Sequence, residues 1–226
     1  MTNAYFVTGT DTNVGKTVVS AALLYKAGLS GLKTLGLKPV AAGGIIQNGK
    51  FVNEDANLLR EFASLKKSYD AINPICLEEG IAPHIAAKHE NRVINAEVLA
   101  KNCHDQIIAS DFCIIEGAGG WHVPISDQES MIDLAVAIGF PVILVCGIRL
   151  GCINHTLLTL SAIETAGLPI AGWVANQIEQ NMPAIDENIE TLKTRINAPL
   201  IGFIPWQDTI SIDAVANYLS ISDIKQ

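Results

Sequence analysis

The chain has 226 residues, of which 49% are hydrophobic and 17% charged, and its formal net charge is −8. This composition excludes an intrinsically disordered protein, and the length is sufficient to bury a large core. The acidic balance disfavours a nucleic-acid partner, because binding a phosphate backbone requires an excess of Lys and Arg on one surface.

Six short apolar segments predict β-strands. Most of them are continuously apolar rather than alternating, which is typical of parallel strands covered by helices on both faces. The predicted strands lie at residues 5–8, 34–38, 112–116, 142–146, 170–176 and 200–204.

Helical patterns follow these strands along the chain. The predicted helices lie at residues 16–29, 96–109, 132–138, 154–166, 183–196 and 211–219. Alternating strands and helices predict an α/β fold of three layers, with a mostly parallel central sheet and helices on both faces. No linker or low-complexity tract interrupts the pattern, so we expect a single domain over residues 1–226. Residues 41–53 and 72–91 are predicted to form long, irregular loops.

Several features predict a soluble, cytoplasmic protein without a membrane partner. The N-terminal sequence MTNAYFVTG lacks the pattern of a secretion signal. The longest charge-free stretch, residues 134–148, is shorter than the roughly 20 residues of a membrane-spanning helix. The cysteines show no paired spacing of a zinc site, so we interpret them as free, buried thiols in a reducing compartment. They are Cys76, Cys103, Cys113, Cys146 and Cys152.

The segment GTDTNVGKT, from Gly9 to Thr17, connects the first predicted strand to the first predicted helix. A phosphate-binding loop usually has Gly, four residues and then Gly-Lys-Ser/Thr, but here Thr10 stands at the first position. The strand–loop–helix context still predicts a fold of the P-loop NTPase type, because N–H groups at a helix N-terminus bind phosphate. The residues that we expect to surround the phosphates are Asn13, Val14, Gly15, Lys16, Thr17 and Val18.

Three further residues are candidates for the same site, each with a simpler alternative. Glu116 ends an apolar strand and resembles a Walker B acid that binds Mg²⁺, although it could be a solvated strand end. Lys38 ends the second strand, where α/β enzymes place catalytic groups, although a lone Lys could be a surface charge. Asp55 alone could simply be a helix N-terminal acid.

Several motifs together resemble the dethiobiotin synthetase family. In chain order they are GTDTNVGKT, LKPVAAG, NEDA, APHIAA, IIEGAGGW, GCINH, LPIAGWVANQI and IGFIPW, which span nearly the whole sequence. The resemblance implies that 7,8-diaminononanoate takes up CO₂, or bicarbonate as its source, to form a carbamate. ATP then phosphorylates the carbamate, and the second amine closes the ureido ring with release of ADP and phosphate. ATP is thus a co-substrate and Mg²⁺ the cofactor.

The resemblance also implies roles for individual residues. Lys16 and Lys38 stabilise charge on the carbamate and on the transferred phosphoryl group, and Thr12 lies near the diamine. The residues expected to hold Mg²⁺ are Thr17, Asp55 and Glu116. Those expected to contact the nucleotide beyond the loop are Asp55, Glu116, Gly117, Ala118, Gly119, Asn176, Gln177, Pro205, Trp206 and Gln207.

The substrate carboxylate is expected at a helix N-terminus formed by Gly151, Cys152, Ile153 and Asn154. In the family this segment comes from the neighbouring subunit, so a homodimer with shared active sites is expected. The chain has Ala42 where the family often has Ser, which predicts weaker substrate binding. The resemblance also implies an acid beyond the Pro-Trp pair as a nucleotide contact in relatives, and Asp208 is not assigned that role here.

Two other functions remain as alternatives. A partitioning-type ATPase switch usually carries an additional lysine early in the loop, and Asp11 occupies that position here. Another ring- or amide-forming ATP ligase of the same superfamily would act on a different acid or amine.

Overall fold

The computed structural model describes residues 2–47 and 49–225. Residue 48, within the loop predicted at 41–53, and the two terminal residues of the predicted domain lie outside the described residues. The strands are β1 (Asn3–Gly9), β2 (Thr34–Leu37), β3 (Val40–Ala42), β4 (Ile45–Gln47), β5 (Lys50–Val52), β6 (Ile75–Leu77), β7 (Phe112–Glu116), β8 (Val142–Ile148), β9 (Ile170–Gln177) and β10 (Leu200–Ile204). The helices are α1 (Lys16–Leu29), α2 (Glu54–Phe62), α3 (Tyr69–Ile72), α4 (Pro83–His89), α5 (Ala96–Ile107), α6 (Met131–Ile138), α7 (Cys152–Thr165), α8 (Ile185–Arg195) and α9 (Ile212–Ala216).

A parallel six-stranded sheet forms the centre, in the order β10-β9-β8-β1-β7-β2. All six predicted strands are confirmed as the strands of this sheet. The chain leaves β1 for β2 on one side and later passes from β7 to β8 on the other side. Ligands of open α/β sheets bind at the carboxyl ends of the strands where the strand order reverses. The glycine-rich loop after β1 lies at that point.

The core consists of two layers, one on each face of the sheet. Side chains of β1 alternate between them, with Phe6 facing one layer and Tyr5 and Val7 facing the other. The Phe6 layer is covered by α3 to α8 and the Tyr5 layer by α1 and α9, while α2 contributes to both layers. The predicted three-layer α/β fold with helices on both faces is therefore confirmed.

The predictions of long loops at residues 41–53 and 72–91 are wrong in part. Strands β3 and β6 form a parallel pair, and β4 and β5 form an antiparallel hairpin, within or bordering those segments. Each strand has only three residues, too few to produce a recognisable pattern. Helix α4 also lies there, with Pro83 at its first position, where proline is tolerated.

Two features bear on the expectations about location. All five cysteines are free and buried, as predicted. Within residues 2–47 and 49–225, no helix has the length and apolar character needed to cross a bilayer.

Close packing of α1 and α2 on the sheet predicts opposite effects for two Gly→Ala substitutions. A Cβ at Gly36 would lie 2.8 Å from Leu24 Cδ1 and 2.9 Å from Leu59 Cβ. We therefore expect Gly36→Ala to lower the free energy of unfolding by about 1–3 kcal/mol. Gly28, in α1, has only Thr34 Oγ1 nearby, at 3.9 Å, so Gly28→Ala should raise it by about 0.5–1 kcal/mol.

Urea denaturation of both variants measures these changes. A Gly36→Ala protein as stable as the unaltered chain would contradict the packing described for this face.

Candidate active site

The unusual glycine spacing of the phosphate loop has a packing reason. The Val14 side chain is 1% exposed and lies between Gly9 and Gly147. A Cβ at Gly9 would lie 2.5 Å from Val14 Cγ2, and one at Gly147 would lie 2.7 Å from Val14 Cγ1. Thr10, at the usual glycine position, accepts a hydrogen bond from the Gly147 N–H at 3.2 Å through its hydroxyl. The glycine is thus needed one residue earlier than in the common motif.

The loop ends at the N-terminus of α1 in the predicted way. Asn13 and Gly15 have positive φ angles of 60° and 91°, which turn the chain into the helix. The Asn176 amide donates a hydrogen bond to the Val14 carbonyl at 2.9 Å and anchors the loop to β9. A Cβ at Gly15 would collide with this amide, so glycine is required there.

Lys16 is buried and held by the loop itself. Its ammonium donates to the Asp11 carbonyl at 2.9 Å. Burial lowers the pKa of Lys16 to about 8, although the Glu116 carboxylate favours its charged form. Burial thus makes the ammonium easier to deprotonate than an exposed lysine when no phosphate is bound.

Asp11 forms an ion pair that sequence reasoning missed. Its Oδ2 lies 2.8 Å from Arg149 Nη2, and its Oδ1 accepts the Thr12 N–H at 2.7 Å. Arg149 follows β8, which is the neighbour of β1 in the sheet. The only available signal was that both residues follow strands, so that both come to the same sheet edge.

Lys38, Asp55 and Glu116 form the charged centre of the site. The Lys38 ammonium lies 2.6 Å from Glu116 Oε1 and 3.0 Å from Asp55 Oδ2, and it donates to the Gly117 carbonyl at 3.2 Å. Lys38 is 3% exposed and Glu116 is completely buried. The alternatives of a surface lysine and a solvated glutamate are therefore wrong. Asp55 does lie in the first turn of α2, but its carboxylate also belongs to this cluster.

The charges in this cluster stabilise one another. Burial alone would lower the pKa of Lys38, but Glu116 and Asp55 outweigh that effect and raise it. Burial would likewise raise the pKa of Asp55, but Lys38 and the Thr17 hydroxyl more than offset this and lower it. Both side chains are consequently charged near neutral pH.

The residues expected to bind Mg²⁺ fit a hard cation. The Thr17 hydroxyl donates to Glu116 Oε1 at 2.8 Å, and Asp55 lies beside it. Glu116 Oε2 is buried without a hydrogen-bond partner, which is costly unless a cation or ligand satisfies it. Within the described chain, no three His, Cys, Asp or Glu residues form a metal cage of their own. Mg²⁺ commonly binds to one or two carboxylates and completes its octahedron with water and phosphate.

Two of the cavities that border the loop extend from it in different directions. A cavity of about 210 Å³ is lined by Asn13, Gly15, Val18, Asn176, Gln177, Pro205, Trp206 and Gln207, among others. Gln177 Oε1 accepts the Trp206 N–H at 3.1 Å and so holds the two walls together. The Trp206 indole donates to Asp208 Oδ1 at 3.4 Å, which gives Asp208 a structural contact. This cavity brings together every residue predicted to surround the adenine.

The second cavity, of about 490 Å³, contains the charged centre. Its predicted lining residues are Thr12, Asn13, Lys38, Asp55, Ala118 and Gly119, and Ala42 also lines it. The rest of the wall consists of residues to which the sequence analysis assigned no role, namely Ala41, Gly80, Ile81, Ala82, Pro83 and Val123. Gly117 is not among the lining residues, and its N–H donates to the Val7 carbonyl at 3.0 Å. Ala118 and Gly119 thus face this cavity rather than the one beside Trp206.

The segment predicted to bind the substrate carboxylate lies elsewhere in the chain. Gly151 has φ 91° and caps the N-terminus of α7, but none of Gly151, Cys152, Ile153 and Asn154 lines the cavity at Lys38. The Cys152 side chain is 1% exposed and its N–H donates to the Arg149 carbonyl. Within one chain, the structure does not bring this segment to the charged centre.

Comparisons with solved structures identify the fold. The septum site-determining protein MinD from Pyrococcus horikoshii OT3, solved with Mg-ADP, has a TM-score of 0.58 at 20% identity, and the match covers 91% of this chain and 82% of that one. A ParA family ATPase from Chlorobium tepidum TLS has a TM-score of 0.58 at 15% identity, covering 92% and 86%. At such low identity these likenesses show only the P-loop NTPase type of fold.

Comparisons of sequence go further. Residues 3–213 match a family model described as an AAA domain. An ATP-dependent dethiobiotin synthetase BioD from Cellvibrio japonicus (strain Ueda107) is 47% identical over 221 residues, covering 98% of this chain and 97% of that protein. ATP-dependent dethiobiotin synthetase BioD 1 from Salmonella typhi is 44% identical over 227 residues, with 100% of both proteins covered. The chain therefore belongs to the ATP-dependent dethiobiotin synthetase family.

Proposed function

We propose that this chain forms dethiobiotin from 7,8-diaminononanoate, CO₂ and Mg-ATP, as a single domain over residues 1–226. The observation that carries the proposal is the buried Lys38 ammonium, held by Glu116 and Asp55 at the wall of a cavity that begins at the phosphate loop. A fixed positive charge beside the loop suits a reaction between two anions, a carbamate and a triphosphate.

In the proposed reaction, one amine of the diamine adds to CO₂, forming an N–C bond and releasing a proton. A carbamate oxygen then attacks the γ-phosphorus of ATP, and ADP leaves. The second amine attacks the carbonyl carbon of the carbamic–phosphoric anhydride, and phosphate leaves as the ring closes with loss of a second proton. Lys38 and Lys16 act by charge alone, offsetting negative charge on the carbamate and on the transferred phosphoryl group.

The nucleotide is proposed to bind across both cavities. The N–H groups from Asn13 to Val18 would surround the phosphates, and Glu116 to Gly119 would contact the nucleotide from the cavity at Lys38, which Ala118 and Gly119 line. Thr17, Asp55 and Glu116 would hold Mg²⁺, whose charge would neutralise the β- and γ-phosphate oxygens. The adenine would lie beside Asn176 and Gln177 with Pro205, Trp206 and Gln207, supported by the cavity that these residues line.

The substrate is proposed to bind between two subunits. Thr12 and Lys38 line the cavity for the diamine, whereas Gly151 to Asn154 are absent from its wall. A second copy of the chain would supply these residues, as a homodimer with shared sites. The exposure of Leu150 and Leu158, at 88% and 63%, supports an interface beside α7. The five buried free thiols support a cytoplasmic location.

The alternative of an ATPase switch is supported only by the similarity of the fold to MinD and ParA. Asp11 stands where such switches carry lysine, and its carboxylate is paired with Arg149. The alternative of another ring- or amide-forming ligase is distinguished from the proposed function by the identity of the product.

The first prediction concerns the product. With 7,8-diaminononanoate, bicarbonate and Mg-ATP, we expect equal amounts of dethiobiotin and ADP, measured by mass spectrometry and a coupled ADP assay. Omitting the diamine should reduce ADP release to background. ADP formed in equal amount with or without the diamine, and without a ureido product, would exclude this function and favour a switch.

The second prediction concerns Lys38. We expect Lys38→Ala to lower kcat by at least about 100-fold while changing ADP affinity by less than about threefold, because Lys38 acts on the reacting groups. The substitution also leaves Glu116 buried without its partner, so stability should fall by about 3–5 kcal/mol.

Lys26→Ala controls for this loss of stability, since Lys26 binds the carbonyls of Ala216 and Leu219 and lines neither of the two cavities. It should lower the melting temperature and leave kcat unchanged. Near-native turnover of Lys38→Ala would remove Lys38 from the catalytic residues.

The third prediction follows from the pKa of Lys16, which is lowered to about 8. Only the protonated ammonium attracts phosphate, so bound nucleotide raises this pKa. Affinity is therefore constant below pH 8 and weakens by up to about tenfold per pH unit above it. Calorimetry in buffers of different ionisation enthalpy should detect proton uptake on ADP binding at pH 9.

Lys16→Met should abolish both the pH dependence and the proton uptake, whereas the exposed Lys33→Met should preserve them. An affinity that does not change between pH 7 and pH 9.5 would show that Lys16 does not titrate there.

A further inference from the structure

The Tyr69 hydroxyl connects two amide residues beneath the charged centre. Tyr69 opens the short helix α3, outside every motif considered in the sequence. Its hydroxyl accepts the Asn53 N–H at 2.6 Å and donates to Asn73 Oδ1 at 2.7 Å. Burial raises the pKa of Tyr69 well above its ordinary value, so the hydroxyl keeps its proton. The phenol therefore acts as a fixed donor and acceptor at once.

One of these residues holds the backbone of Lys38. Asn73 is 2% exposed, and its Nδ2 donates to the Lys38 carbonyl at 2.6 Å and to the Ile75 carbonyl at 3.0 Å. The Lys38 N–H donates to the Ile72 carbonyl at 2.9 Å. The last residue of α3 and the residue that follows it thus bind the N–H and the carbonyl of Lys38, and so set where its side chain begins.

The other residue holds the helix that carries Asp55. Asn53 is the N-cap of α2, and its Oδ1 accepts the N–H groups of Asp55 at 3.0 Å and Ala56 at 3.4 Å. Its Nδ2 donates to the carbonyl of Ala42, which lines the reaction cavity, at 3.2 Å. The position of Asn53 thus sets the first turn of α2.

We propose that Tyr69 is a positioning residue, whose hydroxyl fixes Lys38 and Asp55 relative to each other through Asn73 and Asn53. This proposal rests on the proposed function, in which Lys38 acts on the carbamate and Asp55 binds Mg²⁺. The 3.0 Å contact between the Lys38 ammonium and Asp55 Oδ2 is the distance that the network maintains. Sub-ångström shifts of such groups matter, because their charge must be in place before the reaction begins.

Removing the hydroxyl leaves two polar groups unpaired in the protein interior. In Tyr69→Phe, Asn73 Oδ1 and the Asn53 N–H lose their partner, while the ring and its packing remain. The lost hydrogen bonds affect Asn73, which holds Lys38, and Asn53, which holds the first turn of α2 with Asp55. They do not affect the phosphate loop. The nucleotide affinity that depends on the loop alone should be preserved.

Tyr69→Phe is compared with Tyr25→Phe to test the proposal. Tyr25 is similarly half-buried, and its ring packs edge-on against Phe62 at the other end of α2. For Tyr69→Phe we expect kcat to fall about tenfold and the Mg²⁺ concentration for half-maximal rate to rise severalfold. ADP affinity without Mg²⁺, measured by calorimetry, should stay within about twofold. Tyr25→Phe should change none of the three.

Asn73→Ala and the double variant supply a second test, which also serves if one single variant folds poorly. Because both residues act on Lys38 through one pathway, the double variant should lose little more than the more impaired single variant. The proposal would be overturned if the fold losses of kcat in the two single variants multiplied in the double variant. It would also be overturned if Tyr69→Phe left kcat and the Mg²⁺ dependence unchanged, or if the metal-free ADP affinity fell in parallel with kcat.

The calorimetric comparison separates this proposal from the proposed function. The increase in nucleotide affinity on adding Mg²⁺ requires no ureido product, so it can be measured in every variant. Failure of the unaltered protein to form dethiobiotin would exclude the function. An unchanged Mg²⁺-dependent increase in Tyr69→Phe would exclude the positioning role instead.

Discussion

The buried ion pair of Lys38 and Glu116 is the constraint on which the site depends. Neither charge could remain in the interior alone, since an unpaired buried charge costs several kcal/mol. Lys38 follows β2 and Glu116 ends β7, and these strands are neighbours with Leu37 paired to Ile115. The ion pair therefore depends on the register of β2 against β7, which brings Lys38 next to Glu116. The site thus combines two lysines with two carboxylates, Lys16 and Lys38 with Asp55 and Glu116, so the formal charges of these four side chains sum to zero.

The sequence predicts the central sheet well because its signal is local. Each strand is a continuous apolar run, and both faces are covered, so no alternation is needed to recognise it. The small elements beside the site carry no such signal. β3 and β6 have three residues each, and Val40 pairs with Ile75, far away in the chain. Their stability comes from tertiary packing around the cavity, which no local pattern encodes.

The site was predictable where chemistry is confined to a motif or a strand end, and otherwise only through family resemblance. The Gly-Lys-Thr motif predicts a phosphate site by itself. Lys38 alone looks like any surface lysine in the sequence, because its burial depends on the ion pairs with Asp55 and Glu116. The Tyr69 network was missed for the same reason. A half-buried tyrosine has no distinctive sequence, and its importance lies in two hydrogen bonds to residues 16 positions before it and 4 after it.

The irregular first half of the phosphate loop is explained by its neighbours in the sheet. Thr10 binds the Gly147 N–H, Asp11 pairs with Arg149, and Val14 fills the space between Gly9 and Gly147. All three contacts attach the loop to β8 and the turn that follows it, and this turn leads directly into Gly151 and α7. The Asp11 carbonyl also holds the Lys16 ammonium. A generic glycine-rich loop needs only to bind phosphate, whereas this one is also attached to the turn that precedes the segment proposed to bind the substrate carboxylate. The departure from the common spacing therefore follows from packing the loop against β8, with Val14 in the space between Gly9 and Gly147.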